Sequence, residues 1–130
     1  MAEVEERMEK IGVDTDMREA LLDVLKQQNF VDDERYCRGF VRGKFRIQQW
    51  GKIKIRAELK LKRMPESSIS AALKSEIDPE EYEITARKLA LKKWKSLKDA
   101  APARRQKVLR FLLQKGFEHE VCRKVMPGKE

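Results

Sequence analysis

An apolar ladder recurs three times along the chain, and it restricts the possible folds more than any other feature. It runs through Val4, Met8, Val13, Met17 and Leu21, in steps of 4, 5, 4 and 4 residues. It returns as Ile55, Leu59, Met64, Ile69 and Leu73, and again as Val108, Leu112, Phe117, Val121 and Val125. Steps of four keep side chains on one face of a helix, and the step of five marks a turn between two short helices. The second ladder begins 51 residues after the first and the third about 53 after the second, so the chain carries an internal repeat. Gly12, Arg63 and Gly116 fall at the turn, where a helix would end, and Pro65 follows the second of them. The middle turn must therefore be made without glycine.

A longer helix precedes the second and third ladders. Asp32 or Asp33 is placed to cap the first of these, whose apolar side would carry Tyr36, Phe40, Val41 and Ile47. Asp78, Pro79, Glu80 and Glu81 make a strong start for the other: a capping carboxylate, proline at the first helical position and acids in the first turn. Its buried stripe would be Tyr82, Ala86, Leu89, Trp94 and Leu97, with Ala100-Ala101-Pro102 interrupting it. The predicted fold is all-α: elongated tandem three-helix repeats, each long, short, short. Residues 1–29 would be a partial first repeat, 30–77 the second and 78–127 the third. The first ladder lacks its long helix, so truncation of a longer protein is expected. A unit of ~50 residues is marginal alone, so the units should stack and share apolar faces.

Helix formers dominate the composition, and an apolar share of 41% spread along the chain excludes wholesale disorder. No apolar stretch approaches the roughly 20 residues needed to cross a bilayer, and the acidic start is no signal peptide. Cys37 and Cys122 are expected to be free thiols of a cytoplasmic protein, with no membrane partner. Catalytic constellations fail. With His119 as the one histidine, no Ser-His-Asp relay can be built from alternative bases. His119 and Cys122 have a metal-like spacing, but only Cys37 remains as a third ligand and there is no fourth. Gly39 to Lys44 resembles a phosphate loop one residue short, with Phe45 in place of the required hydroxyl. The sequence therefore predicts no enzyme, no cofactor and no metal.

Charge is the informative feature. Residues 1–34 carry 4 basic and 11 acidic groups, and residues 35–63 carry 11 and 1. Residues 64–83 carry 1 and 6, residues 84–110 carry 10 and 1, and the tail carries 4 and 3. Arg35, Arg38, Arg42 and Arg46 form a stripe at helical spacing beside the Tyr36/Phe40 face. Lys52, Arg56, Lys60 and Arg63 do the same on the next helix, with Lys54 and Lys62 in the same block. The second block holds Lys88, Lys92 and Lys95, then Arg104, Arg105, Lys107 and Arg110. Solubility alone does not require such stripes, because like charges one turn apart cost helix stability. They point to phosphates or a strongly acidic protein surface, bound in a salt-sensitive way. Tyr36, Phe40, Tyr82, Phe111 and Phe117 are expected in the core. Trp50, beside Gly51 at a helix junction, either packs on the next helix or stays partly exposed for a partner.

Three segments resemble the RecX family, regulators of the RecA recombinase. They are Phe30-Val31-Asp32-Asp33-Glu34-Arg35-Tyr36 followed by Phe40-Val41; Trp50-Gly51 with Lys54-Ile55-Arg56, Glu58-Leu59 and Lys62; and Lys107-Val108, Arg110-Phe111-Leu112 and Lys115-Gly116-Phe117. The likeness covers about residues 3 to 126, in order, and the first two motifs together are specific. Asn29 stands where the family usually has glycine; Gln49, Lys52 and Arg63 replace its usual glycine, proline and glycine. The resemblance implies tandem three-helix repeats without enzymatic activity. It also implies docking along the groove of a RecA filament on DNA, restraining recombinase, ATPase and co-protease functions in recombination and DNA repair. Asp32, Asp33, Tyr36, Phe40, Trp50 and Gly51 would then be structural, and the basic stripes of a monomeric protein would touch RecA and single- or double-stranded DNA. The alternative is a stand-alone helical nucleic-acid-binding module, since two short helices joined by a turn resemble a helix-turn-helix. A purely protein-binding scaffold is a third possibility.

Overall fold

The computed structural model describes residues 15–128, and these form six helices and no strand. They are α1 (Thr15–Arg46), α2 (Lys52–Leu61), α3 (Glu66–Glu76), α4 (Pro79–Ser96), α5 (Ala101–Lys115) and α6 (His119–Val125). Helix α1 packs on α2 and α3, and α4 packs on α5 and α6. Each group is one long helix followed by two short ones, the order that the ladder predicts. None of the described helices is long and apolar enough to cross a membrane.

The second and third ladders supply nearly half of the buried core. Ile55, Leu59 and Ile69 are fully buried and Leu73 nearly so, while Met64 packs against them from the edge. Val108, Leu112, Phe117 and Val125 are equally buried, with Val121 at the edge. Removal of each large side chain from water stabilises the fold by about 1.5–3 kcal/mol, so the rungs carry much of the folding free energy. Both short-helix pairs turn by the same device. After α2, Met64 N–H donates to Leu59 O at 3.0 Å and Arg63 N–H to Lys60 O at 2.9 Å. After α5, Phe117 N–H donates to Leu112 O at 3.1 Å and Gly116 N–H to Leu113 O at 3.0 Å. This paired closure needs a left-handed residue, supplied by Gly116 at φ 100° and by Arg63 at φ 61°. Helix α4 starts as expected: the Asp78 carboxylate accepts from Glu81 N–H at 3.0 Å, and Pro79 occupies the first turn.

The structure departs from the sequence-based expectation at the first long helix. Neither Asp32 nor Asp33 is a cap, because α1 runs unbroken through both. At the matching place between α3 and α4, Pro79 lacks the N–H that a continuing helix would need. No proline stands at residues 29–33, so only weak helix formers interrupt and the helix continues. The buried ridge of α1 is Cys37, Val41 and Phe45, one turn apart. Tyr36 and Ile47 are instead exposed, at 45% and 80%, and Phe40 is half-buried. The ridge is rotated by one residue from the expected stripe, and the small thiol of Cys37 fills the place assigned to Tyr36. Phe111, expected in the core, lies at its edge. Helix α4 ends at Ser96, ahead of Ala100, which caps α5. Of the first ladder, Val4, Met8 and Val13, with the Gly12 turn, lie outside the described residues. Met17 and Leu21 are exposed at 58% and 43%.

Candidate functional site

The two helical units lock together where α2 begins and α5 ends. Gly51 N–H donates to Lys115 O at 2.7 Å, and Ile53 N–H donates to Gly116 O at 2.9 Å. Lys52 N–H donates to the Tyr82 hydroxyl at 2.9 Å. The first turn of a helix leaves its N–H groups without intrahelical partners, and here the other unit satisfies them. The Tyr82 hydroxyl donates in turn to the Glu118 carboxylate. Burial, then Glu118, pushes the phenol far above its usual range, so it remains a donor at any working pH. Its ring bridges Phe45 and Phe117 at centroid distances of 5.8 and 5.2 Å. Contact is so close that a Cβ on Gly51 would lie 2.2 Å from the Gly116 carbonyl carbon.

Three of the predicted arginines and two of the predicted lysines are paired with the chain's own carboxylates. Arg42 pairs with Glu76 at 2.9 Å, which ties α1 to the end of α3, and Arg38 pairs with Glu34 at 3.3 Å. Arg56 and Lys60 share Glu66. Lys107 pairs with Asp99 at 3.0 Å. The bond from Arg42 is the main reason that the Glu76 carboxyl sits below its usual range. Arg104 is also structural: it donates twice to Trp94 O, at 2.9 and 2.6 Å, and stacks 4.4 Å from the Trp94 ring. Gly128 presses on that ring too, where a Cβ would lie 2.6 Å away. Trp94 therefore packs against the backbone at Gly128.

The remaining predicted cations carry no ion pair among the described residues. Arg35 and Arg46 are exposed on α1, Lys62 and Arg63 follow α2, and Arg105 and Arg110 stand on α5. Lys88, Lys92 and Lys95 form an exposed ridge on α4, opposite the buried Tyr82, Ala86, Leu89 and Ala90. Lys52 lies over the Tyr82 ring at 4.7 Å.

Lys54 has a different setting, with two neighbours that charge counting did not single out. Its ammonium lies 4.3 Å from the Trp50 ring centre, and that of Lys44 lies 4.7 Å from the same ring. Lys44 also lies 5.5 Å from Phe40, and Lys62 lies 5.8 Å from it. Lys115 donates from its ammonium to Gln48 O at 2.8 Å. Burial, then repulsion from Lys54, pulls the Lys115 ammonium below its usual range. Trp50 is half-buried, so it both packs on the joint and keeps an edge exposed. The motif residues Trp50 and Gly51 thus serve one joint, while Asp32 and Tyr36 are exposed on α1 and the half-buried Asp33 stands one turn before Cys37.

The rejected chemical constellations are scattered or shielded. His119 is exposed at the start of α6, whereas Cys37 and Cys122 are buried. Burial chiefly pushes both thiols up, assisted by Asp33 and Glu34 at Cys37 and by Glu118 at Cys122. Among the described residues no three His, Cys, Asp or Glu side chains group as metal ligands. Gly39 to Lys44 lies inside α1, so its backbone cannot cradle a phosphate.

Residues 32–73 match the family profile for the second three-helix domain of RecX, and residues 80–126 match that for the third. Regulatory protein RecX of Clostridium perfringens strain SM101 is 32% identical over 127 residues, which cover 95% of this chain and 58% of that protein. The chain thus spans little over half the length of that relative. Regulatory protein RecX of Prosthecochloris aestuarii is 30% identical over 126 residues, covering 95% of this chain and 80% of the relative. Among solved structures, a regulatory protein RecX superposes with a TM-score of 0.67 at 30% identity, over 92% of this chain and 60% of the other. RecX from Lactobacillus salivarius superposes with a TM-score of 0.69 at 21% identity, covering 95% of this chain and 80% of the other, a likeness of fold.

Proposed function

The chain belongs to the RecX family, and from that premise we propose that it binds RecA filaments on DNA and restrains their recombinase, ATPase and co-protease activities. The observation that carries the proposal is the separation of the cations into two sets. One set holds the fold together through Glu34, Glu66, Glu76 and Asp99. The other, with the α4 ridge Lys88, Lys92 and Lys95 and the arginines Arg35, Arg46, Arg105 and Arg110, meets no carboxylate among the described residues and is spread over both units. A filament presents phosphates and protein surface repeatedly along its length. Two locked units would engage adjacent points, so individually weak contacts would reinforce one another through effective concentration.

The test is ATP hydrolysis by RecA on single-stranded DNA as the chain is added. At or below one chain per RecA, hydrolysis is expected to fall by half or more. Replacing Lys88 and Lys92 by glutamate should weaken that effect about tenfold, the loss expected from removing a few phosphate contacts. Undiminished hydrolysis at a large excess of the chain would contradict the proposal.

A further inference from the structure

The geometry points to a binding site for nucleic-acid phosphates at the joint between the two units, formed by Lys44, Lys54 and Lys115 around Trp50. Three observations carry it. First, all three lysines are half-buried, yet none has a carboxylate within ion-pair distance among the described residues. Glu58 stands one turn beyond Lys54 on α2 and pairs with none of them. Withdrawing a charge from water without a counter-charge is costly, and contact with an aromatic face offsets it by only about 0.5–2 kcal/mol. Second, the three converge from three helices: Lys44 from α1, Lys54 from α2 and Lys115 from α5. Two of them share one indole, and the third reaches across the joint to Gln48 O. Third, Lys54 already disfavours the ammonium of Lys115, so an arriving anion would relieve a repulsion built into the free protein.

The residue types indicate phosphate over an acidic protein surface. A planar carboxylate is best held by the arginine fork, and Arg42 and Arg56 nearby are already taken by Glu76 and Glu66. The groups gathered at Trp50 and Gln48 are ammonium point charges with rotatable donors, suited to the several oxygens of a phosphate chain. Both faces of the joint contribute, so binding would also hold the two units together. This deepens the role proposed above by naming one of its contacts, and its test contains no RecA, so either can fail alone.

The experiment titrates oligothymidylate into the chain at low salt and follows the Trp50 emission in Trp94→Phe, which leaves Trp50 as the single indole. Anisotropy of a labelled strand with the unaltered chain repeats the measurement in case that substitution disturbs the fold. Emission should shift on binding, and affinity should fall with salt at a log–log slope of about 2, the value for three contacts on a single strand. Lys44→Met and Lys54→Met should each weaken binding about tenfold and lower the slope by about 0.7. Their melting temperatures should stay level or rise, because an uncompensated charge is removed; lysines kept for structure alone would lower them. Inorganic phosphate should compete only at about a thousandfold higher concentration, since the strand is multivalent. Unmoved Trp50 emission, methionine variants that bind like the parent, or free phosphate as effective as the strand would each overturn the assignment.

Discussion

A methyl group on Gly51 would meet the backbone of Gly116 and Phe117 at 2.2–2.3 Å, and backbone cannot swing aside as a long side chain can. Gly116 is constrained twice, by φ 100° and by Lys54 Cβ at 2.4 Å from where its own Cβ would stand. Gly51→Ala should therefore lower the stability of the chain by about 3 kcal/mol in a urea titration, at the upper end for an overpacked site; a loss under about 1 kcal/mol would contradict the close joint. The opposite sign is expected where a side chain already occupies a left-handed position. Gln49 and Arg63 have φ of 58° and 61°. Gln49→Gly and Arg63→Gly should each raise stability by about 0.5–1 kcal/mol, as relief of backbone strain exceeds the added entropy of the unfolded chain. The spacing of the ladder exposes the Arg63 and Gly116 turns directly, because a closing turn is local chemistry. It does not reveal why residue 51 must be glycine, because the cause is a contact with a residue far along the chain.

Among the elements, α1 divides into two halves of different character. None of its residues 17–36 is buried, whereas Cys37, Val41 and Phe45 lie in the core. Helix stability comes mainly from packing, so the amides of residues 18–31 should exchange with deuterated solvent at least about tenfold faster than those of residues 38–45. Equal protection along α1, measured by exchange and mass spectrometry, would contradict this division. The short helices and the start of α4 are legible from sequence, since apolar spacing, Pro79 and the Asp78 cap all act within a few residues. The α1 ridge is not. Tyr36, Phe40, Cys37 and Val41 are all apolar enough to fit a core, and their helical phase differs by a single residue. Docking against α3, which brings Arg42 onto Glu76, and the contact of Phe45 with Tyr82 select Cys37, Val41 and Phe45.

At the scale of the molecule, counting charge locates the basic blocks but cannot separate a cation that braces the fold from one that is free. Arg42, Arg56, Arg104 and Lys107 look the same in sequence as Arg46, Lys88 and Lys92, and only tertiary partners divide them. Lys44 and Lys115 are missed for the same reason, since only the fold brings Lys44 and Lys54 onto one indole and Lys115 across the joint to Gln48. The proposed function requires the assembled surface to recognise a RecA filament on DNA more strongly than DNA alone. Its most direct test measures the affinity of a fluorescently labelled chain for one single-stranded oligonucleotide, bare and coated with RecA, at physiological salt. Binding at least about tenfold tighter to the coated strand is predicted, because repeated sites add as effective concentration. Equal affinity for the bare and coated strands would contradict the account and favour a stand-alone nucleic-acid-binding module.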